Sequence, residues 1–103
     1  MNLKESFEEE LSVKEQEELE HLKKYKVLLL NDDYTSMDFV VDILMDVFKH
    51  PLDQAINIML DIHKNGRAVC GVYTYEIAET KISVVTNRAR ENDYPLKAIM
   101  EED

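Results

Sequence analysis

The apolar run Val27-Leu28-Leu29-Leu30 stops abruptly at Asn31-Asp32-Asp33, and Tyr34-Thr35-Ser36-Met37-Asp38 follows at once. A chain has little freedom at such a junction. Consecutive large apolar side chains must be buried, and a run this short, followed by turn formers, reads as a strand over 26–30. The strand's end then lies on the rim of the core and carries three oxygen-bearing side chains. Thr35 is expected to cap the next helix, with Asp38 at the third helical position as the acidic variant of a capping box. Polar groups fixed at the end of a rigid element, on the edge of a core, are placed to bind something small and charged. The carbonyl of Asn31 and the carboxylates of Asp32 and Asp33 accept hydrogen bonds, which selects a cation.

Downstream, Asp38, Asp42 and Asp46 recur every fourth residue and mark the wet face of a helix whose other positions include Val40, Val41, Ile43, Leu44, Val47 and Phe48. Pro51 suits the first position of a second helix, which Asn65-Gly66 ends through a left-handed Gly66. Within that helix Asp53, Asn57, Asp61 and Lys64 fall on one side. Leu52, Ile56 and Met59 fall opposite with His63 among them, and Ile58 and Ile62 widen the apolar arc, so His63 looks toward the core edge. Residues 68–73 read as a strand with Gly71 at a bulge or close approach. Thr74 can cap a third helix with Ile77, Ala78, Ile82, Val85 and Ala89 inside, although the β-branched run 82–86 also suits a strand. Leu96 to Met100 completes the chain as a strand. The order β-α-α-β-α-β predicts an α/β (α+β) sandwich: a three-stranded antiparallel sheet with three helices on one face.

A chain of 103 residues makes one domain, here expected over 25–103. Residues 1–24 hold eight acids against four lysines and few large apolar residues, a composition that reads as a flexible acidic N-terminal extension able to form at most a transient helix. The formal net charge of −10 disfavours nucleic acid and anionic membranes and favours a cationic or protein partner. No apolar run approaches a membrane span and the N-terminus is unlike a signal peptide, so a cytoplasmic protein is expected, and its small size and lack of a spare apolar stripe favour a monomer. The lone Cys70 lies in an apolar run and reads as a buried, reduced thiol. No Ser-His or Cys-His nucleophile pair and no metal-ligand spacing accompanies Asp32, Asp33 and His63, with His21 and His50 in unrelated contexts; the chain is expected to be no enzyme, with no metal and no cofactor. An acidic pair after a strand also opens metal-dependent phospho-acceptor (receiver-like) domains, where Asp32 and Asp33 would hold the metal. That fold needs five alternating β-α units, more than this chain supplies. A plain helix-capping turn at Asn31-Asp32-Asp33 is the other alternative.

An α-amino terminus followed by a bulky apolar side chain would fit this corner. The ammonium has three donors and a full charge, which Asn31, Asp32, Asp33 and a neutral His63 can meet. Met37, Val40, Met59, Ile62 and Leu96 are candidates for the wall of a dry cavity, with the methionines adapting to several guests. Asp32 is expected at the surface, so that removing it should spare the fold.

The stretch Leu30-Asn31-Asp32-Asp33-Tyr34-Thr35 with Met37 and Phe39-Val40, followed by Met59-Leu60, His63, Gly66, Val69-Cys70-Gly71-Val72, Ala78-Glu79-Thr80-Lys81, Ala89-Arg90 and Pro95-Leu96, resembles the ClpS family of bacterial adaptors for N-end-rule substrates. The resemblance covers about residues 25–102. It implies an adaptor that delivers proteins with N-terminal Leu, Phe, Tyr or Trp to the AAA+ unfoldase ClpA and its peptidase ClpP. Carried over, Asn31, Asp32 and His63 would hold the α-amino group, while Asp33 and Thr35 would shape the loop and hold the first backbone groups. Met37 would gate against β-branched side chains, and Val40, Met59, Ile62 and Leu96 would form the rest of the pocket. Glu76 and Lys81 match positions the family uses to dock on the unfoldase N-domain, and the acidic arm matches its variable extension. Ser36 stands where Pro is common in the family, and Ile62 where Val is common.

Overall fold

The computed structural model describes residues 12–103, for Glu20 and His21 the backbone only. The apolar run becomes the central strand. β1 (Lys24–Leu30) is flanked by β2 (Arg67–Thr74) and β3 (Lys97–Glu102) in the order β2-β1-β3, antiparallel on both sides. Side chains alternate across a strand. Val27 and Leu29 are therefore wholly buried with Ala98 in the core, whereas Leu28, the residue between them, faces the other side of the sheet and is absent from that core cluster. The β1–β2 register jumps from Val27↔Gly71 to Leu28↔Val69. Cys70 is the extra residue, a bulge that turns its side chain into the core. A Cβ built on Gly71 would run into the phenol end of Tyr73, so a larger residue there would push that ring aside. Burial pushes the Cys70 thiol up to about 12, so it is no nucleophile at neutral pH.

Four helices accompany the sheet among the described residues: α1 (Val13–Leu22), α2 (Met37–Asp46), α3 (Leu52–Asn65) and α4 (Tyr75–Glu91). The last three supply Val40, Ile43, Leu44, Ala55, Ile62, Ala78, Val85 and Ala89 to one continuous core over the inner face of the sheet. The result is an α+β sandwich with three helices on one face. The receiver-like alternative is excluded, since the three strands are antiparallel. Of the acidic extension, residues 1–11 lie outside the described residues; 13–22 form α1 and Lys24 already belongs to β1. Among the described residues no helix is long and apolar enough to cross a membrane.

Several expectations shift in detail. The cap of α2 is Ser36, not Thr35: the Ser36 hydroxyl accepts from the Phe39 N–H at 3.1 Å. Asp38 thus sits one position too early to complete a capping box. In α3 the buried residues are Ala55 and Ile62, with Ile58 and Met59 partly covered, while Leu52 and Ile56 are exposed. The helix is rolled so that Ala55, rather than Leu52 or Ile56, faces the core. The segment 82–86 is helical. Ile77, expected inside α4, is 49% exposed, because Ala78, one position and 100° further round, faces the core instead.

Candidate functional site

Two tethers build a hollow at the carboxyl end of β1. Asn31 donates its N–H to the Gly66 carbonyl at 2.8 Å. Gly66 closes α3 in the left-handed conformation (φ 88°), its own N–H bonded to Ile62 O. The strand end is thereby fastened to the last turn of α3, the turn that carries His63. The second tether is Asp32. Its Oδ1 accepts from the N–H groups of Tyr34 (2.8 Å) and Thr35 (2.7 Å), and its Oδ2 accepts from the Thr35 hydroxyl (2.7 Å). The loop is wrapped around one carboxylate and delivers the chain to the Ser36 cap. Tyr94 braces the same point from the far end of the sequence. Its hydroxyl is 3.2 Å from Ser36 Oγ and its ring lies 4.8 Å from that of Phe39.

Between these tethers lies a cavity of about 240 Å³ lined by Asn31, Asp32, Asp33, Thr35, Met37, Val40, Met59, Ile62 and His63. All but one of the expected pocket residues meet there, from the β1–α2 loop, the first turn of α2 and the last two turns of α3. Leu96 is the exception. It does not line the cavity but is buried in the core. The cavity is graded. Val40 and Ile62 are buried and make a dry floor, Met37 is half exposed at the mouth, and Asn31, Asp33 and His63 stand exposed on the rim. Its size is below the roughly 300–1,000 Å³ of pockets for drug-sized ligands, so it suits one side chain.

Partial burial works to raise the Asp32 carboxyl. The hydrogen bonds from Thr35 N–H, the Thr35 hydroxyl and Tyr34 N–H together outweigh it and hold the group below its ordinary value. Asp32 is an anion at neutral pH. A carboxylate offers about four lone-pair positions, and the loop occupies three, so roughly one remains for a guest. The expectation that Asp32 is a bare surface group is corrected: it is half-buried and organises the loop. Among the described residues the side chains of Asn31, Asp33 and His63 have no hydrogen-bond partner in the protein, which leaves their acceptors open toward the mouth. His63 is exposed rather than a satisfied core histidine.

A larger groove of about 560 Å³ lies elsewhere, between the C-terminal end of α2 and the outer side of α4, lined by Asp46, Val47, Lys49, Glu76, Ile77, Thr80, Lys81, Val84 and Arg88. It brings Glu76 and Lys81 together. Lys81 Nζ donates to the Val47 carbonyl at 2.6 Å, satisfying the end of α2, and sits 5.5 Å from the Tyr73 ring centroid. Arg88 pairs with Asp46 at 3.2 Å. Ile77 and Val84 are exposed within it. The sequence reading missed both, having put Ile77 inside. Their separation of seven on one helix, with Thr80 and Lys81 between, is the signal that marks a second apolar stripe.

The family described as ATP-dependent Clp protease adaptor protein ClpS matches residues 20–99. The chain is 50% identical over 97 residues to the ATP-dependent Clp protease adapter protein ClpS of Syntrophus aciditrophicus, covering 94% of this chain and 91% of that one. It is 52% identical over 97 residues to that of Oleidesulfovibrio alaskensis, covering 94% and 93%. The structure of Agrobacterium tumefaciens ClpS2 bound to L-phenylalaninamide superposes with a TM-score of 0.76 at 41% identity, covering 79% of this chain and 98% of that one.

Proposed function

The chain belongs to the ClpS family of Clp protease adaptors, and we propose that its 240 Å³ cavity receives the free α-amino group and bulky first side chain of N-degron substrates, which it presents to the AAA+ unfoldase ClpA for degradation by ClpP. The carrying observation is the cavity itself: a dry floor roofed by unengaged acceptors of one electrical sense. The ammonium donates to Asn31 Oδ1, to the free lone pair of Asp32 and to His63. Asp33 and Thr35 address the first peptide groups. The side chain of Leu, Phe, Tyr or Trp passes Met37 and rests on Val40, Met59 and Ile62, where a β-branched side chain would meet Met37 at its wider Cβ. The ligand in the Agrobacterium tumefaciens structure is an amino acid amide with a free amine and an aromatic side chain, the chemistry this cavity asks for. The groove of Glu76 and Lys81 is read as the surface that docks on the unfoldase N-domain.

Burial of the first side chain contributes roughly 1.5–3 kcal/mol, and each charge-assisted hydrogen bond roughly 1.5–3 kcal/mol. Net of association costs these reach micromolar affinity, about −8 kcal/mol. A fluorescent peptide beginning with free Leu or Phe is expected to bind, and its N-acetylated twin to bind at least about 100-fold more weakly, the worth of one to two such bonds. Equal anisotropy curves for the two peptides would remove the ammonium from the mechanism.

A further inference from the structure

The apolar arc of α3 is wider than the core it serves. Ala55 and Ile62 are buried, yet Leu52, Ile56 and Leu60 are 54%, 38% and 49% exposed. At 100° per residue these three and His63 fall within one quadrant of the helix, beside Met59. They make a stripe along a single flank. Met59 and His63 line the cavity, so the stripe starts at the cavity mouth and runs back toward the N-terminal end of α3. The other sides of the mouth are acidic. The loop side carries Asp32 and Asp33, and on α2 the exposed Met37 is followed by the exposed Asp38 and Asp42.

The spacing of the stripe is that of an extended peptide. At about 1.5 Å of rise per residue, the midpoint of Ile56 and Leu60 lies about 5 Å along the axis from the cavity-lining turn 59–63, and Leu52 lies about 14 Å from it. In an extended chain alternate side chains share a face, so the third and fifth residues follow the first at about 7 and 13 Å. A chain whose first side chain fills the cavity must leave by the mouth, where this flank is the apolar continuation. Resting on the reading of the cavity as a site for the N-terminal residue, we propose that the same substrate chain continues along α3. Its third side chain lies on Ile56 and Leu60 and its fifth on Leu52, while the second and fourth face solvent. The site therefore reads more than the terminal residue: it favours N-degrons with apolar side chains at alternate positions. The gain is modest, because each side chain is covered on one side only. Half the transfer free energy of a leucine corresponds to about 3- to 10-fold in affinity.

Fluorescence anisotropy with the full-length protein tests this. The host peptide has a free N-terminal leucine followed by serines, with the fluorophore at its C-terminus. Leucine in place of serine at position 3 or position 5 is expected to tighten binding about 3- to 10-fold, and the same change at position 2 or 4 by less than about 1.5-fold. Ile56→Gln/Leu60→Gln should erase the position 3 gain and spare the position 5 gain; Leu52→Gln should do the reverse. All three residues are exposed and glutamine is a good helix former, so the fold is kept, and unchanged affinity for the host peptide reports an intact cavity. Equal gains at odd and even positions, no gain, or gains that survive the substitutions overturn the proposal and leave the cavity reading standing. Equal binding of the free and N-acetylated host peptides overturns that reading and the proposal with it. Self-association of the protein that Ile56→Gln/Leu60→Gln abolishes would assign the stripe to a second copy, and so also overturns the proposal.

Discussion

The acceptor-lined cavity and the α2–α4 groove share a helix and little else. α2 lends its first turn, Met37 and Val40, to the small cavity and its last, Asp46 and the adjoining Val47, to the large groove. In the cavity the polar side chains of Asn31, Asp33 and His63 are left without partners among the described residues and stand around an apolar floor. In the groove Arg88 is engaged by Asp46 and Lys81 by the Val47 carbonyl, Lys49 and Glu76 have no ion-pair partner among the described residues, and the exposed apolar material is Ile77 and Val84. Unengaged acceptors over a side-chain-sized hollow suit a cation with an apolar tail. Charges of both signs around an exposed apolar stripe suit another protein's surface, where the central apolar contacts carry most of the energy and the rim charges steer. The larger hollow is therefore not the better ligand site.

If the contrast is real, the two hollows should fail independently. The largest effect belongs to Asp32. Asp32→Ala removes the cavity's loop anchor together with its fixed anion, so binding of a free-amine Leu peptide should fall at least about 100-fold, since charge-assisted bonds contribute roughly 1.5–3 kcal/mol each. Stability should also drop, by about 0.5–2 kcal/mol, as for loss of a capping side chain; titration and urea unfolding measure the two. A variant as stable as the parent would show that the three loop hydrogen bonds contribute nothing. Next comes the groove. Ile77→Asp should weaken binding to the unfoldase N-domain about 10- to 100-fold, the worth of roughly 1.5–3 kcal/mol of apolar burial, while leaving peptide affinity within about twofold, because additivity holds for separated sites. Loss of both activities would mean that α2 couples the hollows.

Smaller effects sharpen the picture. Gly66→Ala meets no atom within 4 Å but must adopt φ 88°, at a cost of roughly 1–2 kcal/mol. The strain falls on the residue whose carbonyl holds Asn31, so peptide affinity should decline with stability, whereas docking at the groove should not. The pH response is the mildest. Asp32 is held below its ordinary value, and the sign follows from linkage: a depressed carboxyl stabilises the native state above its unfolded pKa, about 3.9, and that contribution is lost as pH falls through the folded value. Unfolding free energy should thus carry an acid-side slope that Asp32→Asn lacks. Identical slopes would deny Asp32 its role.

Much of the cavity's lining was legible in the sequence alone. The junction of Val27–Leu30 with Asn31-Asp32-Asp33 fixed where the strand ends, and Gly66 fixed where α3 ends, because a buried run and a left-handed turn each leave few choices. His63 was legible by its helical phase. The cap at Ser36 was not, since Thr35 and Ser36 are equally good caps and only the contact with Asp32 assigns Thr35 elsewhere. Leu96 was not, because an apolar residue reads the same whether it lines a cavity or fills a core.

Local chemistry, then, settled by itself the order of strands and helices and the antiparallel sandwich, and it picked out the acceptors and the apolar residues that line the cavity. Periodicity and the donor–acceptor character of a side chain are properties of neighbouring residues. Tertiary packing alone decided that α3 rolls on Ala55, that Ile77 faces outward, that Leu96 belongs to the core, and that Asp32 is three-quarters occupied by its own loop. Those outcomes turn on which surfaces meet through space, and sequence distance carries no record of that.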